Sequence, residues 1–492
     1  IEKSYENKEK ILIFGDYDVD GACSTSLFVN FFKSINQQCD FYIPDRIKDG
    51  YGPNVNLLNN LIKNNYKLII FVDCGSNSNK EIDFLNENKI KSIVIDHHKL
   101  QGKIPNATSF INPLKTNESN KFSYFCATTL SYYLIENMIL RKKICKSFNI
   151  LDFLFFVVLA TVADVMPMRG VNRNLCSLGL EFFSRKKLKY FNSILNFYKI
   201  KRKLSLDDLS YLICPILNSG GRLNNSQLAV LLLTCNEEKK IESISNKLIK
   251  LNDRRKKIEK VYIDNIVNKY QDIVDEVIFI YEPSINEGII GIIAARLVEK
   301  FNKPSFVITK SNLNMKGSAR SIPNFDLGKI ILDAKSNDLI TKGGGHKMAA
   351  GFSLKKSNLN KLKSFLNIQF KKTNLKNEYV YISQQTLKSV NYLIKDVIVK
   401  LSPFGNENQN PIFFFKELKI IKCKVINEKH ILVFFSDSSK RSIQGISFNS
   451  YNTSLGNYLL FFKKKINVFA SIKESFFNNK RKIQLVVHDI TI

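Results

Sequence analysis

The strongest constraint on how this chain folds is the position of its acidic residues relative to its apolar runs. In the first hundred residues the runs Ile11–Phe14, Phe41–Ile43, Leu68–Val72 and Ile93–Ile95 alternate with helix-like stretches at Cys23–Phe32, Val55–Ile62 and Lys80–Asn88. Short β-rich runs alternating with helical segments predict βαβ units and a parallel sheet. Three of the runs end on acids: Asp16-Tyr17-Asp18-Val19-Asp20-Gly21, Asp73-Cys74-Gly75 and Asp96-His97-His98. A fourth acid, Asp164, closes the apolar run Phe153–Ala163. The carboxyl ends of parallel strands share one edge, so residues far apart in the chain are expected to meet there. Asp18 and Asp20, spaced i and i+2, would face one side if strand geometry persisted past Phe14.

Any one of these acids alone reads as a turn or a helix cap, the ordinary role of Asp after a strand. Four together point elsewhere. Carboxylates crowded in one crevice repel, and would protonate or scatter unless a cation held them. With one or two imidazoles they form a hard-to-borderline donor set that suits Mn²⁺ or Mg²⁺, with oxygens enough for two ions. Two ions roughly 3.5–4 Å apart clamp a phosphoester: one lowers the pKa of a water and both stabilise the developing charge.

The overall charge agrees. The 492 residues carry 74 Lys+Arg against 44 Asp+Glu, a net +30, which argues for a polyanionic partner. Only 13 of the 74 are Arg, so AT-rich coding accounts for some of the lysine, but it does not require the acids to lag. With 44% apolar and 24% charged residues the chain is globular, not disordered, and its length fits two to four domains. Nine Cys without a CxxC pair exclude a zinc ribbon and argue against a disulfide framework, so a reducing, cytoplasmic setting is expected. No apolar run reaches the length of a membrane span, the longest being Phe153–Ala163, and no signal peptide opens the chain. The chain opens on Ile1 and reaches its first strand by Ile11, as expected if the natural N-terminus lies further upstream.

Further along, Thr128–Leu180 reads as helices and Lys239–Tyr270 as one long charged helix. A second alternation follows: strand Val277–Ile280, helix Ile289–Phe301, strand Ser305–Ile308, helix Asp326–Ala334, and a glycine-rich turn entering a strand over Gly343–Phe352. After Pro403–Pro411 come short strands at Ile412–Phe415, Leu418–Val425, His430–Phe435, Arg441–Phe448, Lys465–Ser471 and Lys482–Ile490, the rhythm of a small closed β-barrel.

Several basic or glycine-rich positions have two readings. Gly343-Gly344-Gly345 with His346 is either a flexible turn or a backbone cradle for an anion, to which His346 or Lys347 adds charge. Arg320 can grip phosphate in a bidentate way, with Ser318 as a further donor. Arg296, on an apolar helix, is either a substrate contact or half of a structural ion pair. Arg46, Arg222, Arg173 and Asn218 are either nucleic-acid contacts or surface residues. Phe448, Tyr451 and Phe477, near Lys480 and Arg481, could stack bases, although most aromatic residues of the barrel are expected in its core.

The ordered set DYDVDG, VDCG, DHH and ATVADVMP resembles the DHH phosphoesterase superfamily and, within it, the bacterial RecJ single-stranded-DNA exonucleases. NEGIIGIIAARL (286–297), GSARS (317–321) and GGGHKMAAGFS (343–353) resemble the DHH-associated substrate-binding domain. LNSGGRL (217–223) resembles the segment connecting the two lobes, and PFGNENQNP (403–411) the entry into an oligonucleotide-binding barrel. The resemblance spans essentially the whole chain. It implies an α/β protein in four parts: a parallel-sheet DHH catalytic lobe (1–190), a helical connector (191–272), an α/β DHH-associated lobe (273–400) and a C-terminal OB-like β-barrel (401–492).

It also implies that Asp18, Asp20, Asp73, His97 and Asp164 ligate metal, with Asp16, Asp96 and His98 completing or supporting the site. Asp18, Asp20, Asp73, His97, His98 and Asp164 are then the catalytic set, and Ser318, Arg320, Gly344, Gly345, His346, Arg296, Arg46 and Arg222 the substrate-binding set. His97 and His98 are not expected to share a role, because adjacent strand residues cannot aim at one point. The implied activity is Mn²⁺- or Mg²⁺-dependent 5′→3′ hydrolysis of single-stranded DNA by a cytoplasmic monomer in repair and recombination. A helicase and a single-strand-binding protein are the implied partners, and no membrane is involved. One alternative is a small-substrate DHH phosphoesterase acting on short oligoribonucleotides, cyclic dinucleotides or pyrophosphate, which needs neither a terminal barrel nor a charge of +30. Another is a DNA-binding scaffold with degenerate ligands, against which the four intact clusters argue. At Asn286 this chain departs from the family, which carries His there, so no role is carried over to that position.

Overall fold

The apolar runs of the first hundred residues form one parallel sheet. Strands β1 (Ile11–Phe14), β2 (Cys39–Tyr42), β3 (Leu68–Val72), β4 (Lys91–Ile95) and β5 (Ser109–Ile111) pair in the order β2-β1-β3-β4-β5. Their side chains alternate between two cores. Ile11, Ile13, Ile70, Val72 and Ile95 pack with the helices Val19–Ser34, Ala127–Leu140 and Leu154–Ala163. Leu12, Phe14, Ile69, Phe71 and Val94 pack with Leu58, Ile82 and Leu85 of the helices Val55–Leu61 and Asn79–Glu87. Burial on both faces explains why these strands read as continuous apolar runs. The chain leaves β1 toward β2 and returns to β3 on the other side, so the strand order reverses at β1/β3, where open α/β sheets form a crevice.

The computed structural model describes all residues except 47, 116–120, 142–147, 186–188, 224, 270–274, 312–313, 374–379, 463 and 478–479. They form two compact units, 1–374 and 375–492. In the first unit the helices Gly170–Arg185 and Lys189–Phe197 lead to a π-turn, Leu209–Ile213, and the helix Cys214–Arg222. The expected long charged helix runs over Glu238–Lys269.

A second sheet holds β6 (Ile278–Tyr281), β7 (Ser305–Ser311), β8 (Asn314–Arg320), β9 (Lys342–His346) and β10 (Ala349–Leu354), in the order β6-β7-β8-β10-β9. Only β6–β7 is parallel. The glycine run is therefore an edge strand and not a turn. Its glycines answer to crowding: a Cβ at Gly343 would stand 2.8 Å from Ile331 and one at Gly345 2.6 Å from Ala350.

The second unit is a closed barrel. Strands β12 (Phe413–Ile426), β13 (His430–Ser436), β14 (Ser442–Ser447), β16 (Lys480–Thr491) and β15 (Ile466–Phe477) form a ring shut by β12–β15, with β14–β16 parallel. The two strands expected at 412–425 are one, broken in register near Phe415/Leu418 and Ile420/Lys422, where the strand bends around the barrel. The unit starts earlier than residue 401. Strand β11 (Ser383–Gln385) pairs with Phe413–Phe415, and Leu387 and Ile398 lie in the barrel core. Phe448 and Tyr451 are exposed beside β14, whereas the side chains of Phe477, Lys480 and Arg481 lie outside the described residues.

Candidate metal centre

Each acidic segment is placed by the end of a strand or helix. Strand β1 stops at Phe14, and Asp18 becomes the N-cap of the helix Val19–Ser34, its Oδ1 accepting from the Gly21 N–H at 3.0 Å. Asp20 is thus in the first helical turn, and the strand-like i, i+2 relation expected for Asp18 and Asp20 does not hold. Capping wins there because the helix needs an acceptor for its free amides. The turn is tight: a Cβ on Gly21 would lie 2.5–2.7 Å from the backbone of Asp16.

Asp20 is buried and reaches across the lobe. Its two oxygens accept from the Ala127 and Thr128 N–H groups, both at 2.8 Å, at the amino end of the helix Ala127–Leu140. That end carries the positive pole of the helix dipole. Asp73 follows β3 with φ +62°, a left-handed conformation that Asp tolerates. Asp164 ends the helix Leu154–Ala163 and precedes Val165 at φ +52°. A β-branched residue there is strained, and such outliers gather at functional sites.

These side chains converge. His97 Nε2 lies 3.2 Å from Asp73 Oδ1, 3.2 Å from Asp164 Oδ2 and 3.6 Å from Asp20 Oδ2. Three sets have ligand atoms within 4.8 Å of one another: Asp73 with His97 and His98, Asp20 with His97 and Asp164, and Asp16 with Asp18 and Asp73. Yet both oxygens of Asp73, one of Asp16 and Nε2 of His97 are buried without a hydrogen-bond partner, so the short His97 contacts are not aligned as hydrogen bonds. Burial, and after it the charges of Asp20, Asp18, Asp164 and Asp16, push the Asp73 pKa well up. Unpartnered buried oxygens around an imidazole are what a hard-to-borderline divalent cation would satisfy. Mn²⁺ or Mg²⁺ therefore fits the donor set.

The two histidines are separated. His98 Nδ1 is 2.7 Å from Asp96 Oδ1, and burial is outweighed by that contact, which lifts the His98 pKa to about 9. Asp96 is fully engaged: it also accepts from the amides of Ser76, His97 and His98. It orients His98 and is absent from the convergent ligand sets, a supporting position.

A basic wall faces the acids. Arg46 and Arg222 both donate to the Gly288 carbonyl, at 3.4 and 3.0 Å, and Arg46 Nε is buried without a partner. Burial, then the like charges of Arg46, Arg255 and Arg320, press the Arg222 pKa down, while nearby Asp18 acts the other way. Asn286, the family departure, accepts from the Gly288 N–H at 2.7 Å and so fixes the carbonyl both arginines use. Arg320 reaches Ser318 Oγ at 3.3 Å, and a Cβ on Gly291 would crowd both side chains. In β9, a Cβ on Gly344 would lie 3.1 Å from Gln101 of the first sheet's lobe. His346 is exposed, its pKa lowered by partial burial and by Lys99, His98 and His97.

Three family models match the sequence in order along the chain. They are the DHH family N-terminal domain over residues 10–157, the DHHA1 domain over 273–372 and the RecJ OB domain over 384–489. The chain is a RecJ-type member of the DHH family. A curated relative of this family, the single-stranded-DNA-specific exonuclease RecJ of Bacillus subtilis, is 26% identical, with all of this chain aligned to 62% of its length. The Dickeya dadantii protein of that name is also 26% identical over 100% of this chain and 89% of its own. Among solved structures, Thermus thermophilus RecJ in complex with Mn²⁺ superimposes with a TM-score of 0.82 at 21% identity, covering 100% of this chain and 70% of that one.

Within this DHH-family chain the expected ligands Asp16, Asp18, Asp20, Asp73, His97 and Asp164 meet, with His98 beside them. Arg296 is committed elsewhere: its guanidinium pairs with Glu259 at 2.7 Å and Glu299 at 2.8 Å, the structural alternative of its two readings. Sequence reasoning passed over Tyr51, whose hydroxyl is 3.3 Å from both ring nitrogens of His98. It also passed over Asn112, which donates to Ser76 Oγ and the His98 carbonyl. Tyr51 had a signal, an aromatic between two glycines. Asn112 had none.

Proposed function

We propose that this chain is a Mn²⁺- or Mg²⁺-dependent exonuclease that hydrolyses single-stranded DNA from the 5′ end. The observation that supports it best is the gathering of buried carboxylate oxygens without hydrogen-bond partners around His97, with the Arg46 and Arg222 guanidinium groups close by. Asp16, Asp18, Asp20, Asp73, His97 and Asp164 would hold the ions. Bound divalent cations would supply Lewis acidity, lowering the pKa of a water and offsetting charge on the phosphate. Asp96 holds His98, and Ala127 and Thr128 hold Asp20, so the ligands keep their places without the substrate. Arg46, Arg222, Arg320 and Ser318 would grip a non-bridging phosphate oxygen, since guanidinium forks match phosphate. Gly344, Gly345 and His346 would bound the same phosphate from the edge of β9.

The barrel and the surplus of 30 positive charges supply single-strand contacts. A cytoplasmic place in DNA repair and recombination follows from that substrate, with a helicase and a single-strand-binding protein delivering strands to a monomer. Among the described residues no helix is long and apolar enough to cross a membrane.

Digestion of 5′-labelled and 3′-labelled single strands, with Mn²⁺ and with chelator, tests this reading. The 5′ label should appear at once as mononucleotide, the 3′ label should persist in shortening strands, and chelator should stop both. Early release of the 3′ label would reverse the polarity. Faster hydrolysis of a dinucleotide than of a long strand would favour the small-substrate alternative.

A further inference from the structure

The long helix Glu238–Lys269 has two faces of opposite character. Its inward face sends Ile241, Leu248, Ile249 and Ile266 into the cores of the first unit. The buried charges on that face are paired: Arg255 holds Glu259 at 2.7 Å, and Glu259 holds Arg296 at 2.7 Å. Arg255 also stands near enough to Arg222 to press on its charge, so this face looks toward the cleft.

The outward face carries Lys247, Lys250, Arg254 and Lys257, all exposed. Spacings of three, four and three residues set them in one row, about 15 Å long and roughly 150° around the axis from the inward residues. Of the two acids within a turn of the row, Glu259 is committed to the inward pairs, and Asp253 is half-buried and forms no ion pair with any of the four. Like charges three and four residues apart destabilise a helix, and three such pairs follow one another here. Coding bias toward lysine raises the count on every face, but it does not keep acids off one.

A row of unpaired cations calls for a polyanion, and its shape says which. Single strands are held in grooves, with aromatic rings on which the bases stack. This face is convex, and its exposed side chains from Ser243 to Val261 include no aromatic ring. Double-stranded DNA offers the complementary form: a stiff rod with a charge every 1.7 Å or so of axis, about nine along a row of this length. We propose that the outward face of this helix is a docking surface for the phosphate backbone of duplex DNA, outside the cleft in which a single strand is cut. The contact reads no sequence, since phosphates carry none. It takes from the nuclease reading the reason a duplex is at hand, because a tail being shortened is joined to one, and adds where that duplex is held.

The test measures binding of a blunt duplex of about two helical turns, and of a single strand of equal length, to the full chain without divalent metal, so that nothing is cut. Salt is varied between roughly 50 and 200 mM. Lys250→Gln, Arg254→Gln and Lys257→Gln together should lower the duplex slope of log affinity against log salt by about 2.7, three contacts at about 0.9 each. Arg254→Gln alone should lower it by about 0.9, and the single strand's slope should fall by less than one contact's share in either variant. Lys361→Gln, Lys371→Gln and Lys372→Gln together, at exposed positions of the helix Leu359–Lys371 and its C-cap, remove the same charge and should leave the duplex slope in place. An unchanged duplex slope in the first triple variant would overturn the proposal. So would an equal fall for the single strand, an equal fall from the control lysines, or no duplex binding by the unaltered protein. Failure to cut single strands once Mn²⁺ is added would instead refute the nuclease reading, on which the measured duplex slope does not depend.

Discussion

Replacing Asp73 by Asn should separate its service to a metal from any service to the fold. Asn is nearly isosteric and tolerates the left-handed backbone at φ +62°. It also removes one charge from a site where Asp20, Asp18, Asp164 and Asp16 oppose it. Without metal the variant should melt at or above the unaltered protein. With Mn²⁺ at 100 times its Kd the unaltered protein gains about 2.7 kcal/mol. At about 2.1 cal/mol/K per residue over residues 1–374, that raises Tm by about 3 °C. Loss of an outer partner costs a metal site up to about 100-fold in affinity, and a ligand should cost no less. The gain in Asp73→Asn would then shrink to about 0.4 kcal/mol, under 1 °C. Thermal unfolding with chelator and across a Mn²⁺ series reads both numbers. A full Mn²⁺ shift in the variant, or melting several degrees lower without metal, would refute the reasoning.

Three further outcomes are expected. Gly21→Ala drives a Cβ into the Asp16 backbone, so it should cost about 1–3 kcal/mol and abolish the Mn²⁺ shift; melting unchanged on both counts would contradict the tight-turn account. Asp208 is held below the ordinary carboxylate range, because hydrogen bonds from Arg202 and Ser205 outweigh its burial. Its contribution is therefore complete above the unfolded value near 3.9 and fades as pH drops through the lower folded value. Asp208→Asn should cost about 1 kcal/mol at pH 7, and the deficit should close in acid, as urea midpoints would show. Affinity for a long single strand should fall steeply between roughly 50 and 200 mM salt, and a flat response would remove the long-strand substrate.

The parallel lobe was legible because its strands are buried on both faces, and continuous apolar runs survive in the sequence as runs. Edge strands were legible less well: β5 has only three residues, and β2 begins on Cys39-Asp40, two residues before the run Phe41–Ile43 that marks it, where half-buried positions give no clean period. The second sheet misled for a different reason. A glycine strand has no side-chain alternation to read, so β9 looked like a turn until its neighbours Ile331 and Ala350 were in view. In the site, the acids were found because each closes an apolar run. Their supports were not, since the donors to Asp20 are amides of Ala127 and Thr128. Backbone groups carry no sequence signature, and only the fold says which carboxylate they face.

That same bond has a consequence for when the centre can form. A carboxylate from the helix Val19–Ser34 finds its donors only after the chain has passed residue 127, and Asp164 arrives later still. A chain still emerging from the ribosome, or clipped within its first lobe, has the leading acids but no means of steadying them. The centre is thus assembled only by a finished lobe, since a copy ending before residue 127 has neither the donors to Asp20 nor Asp164.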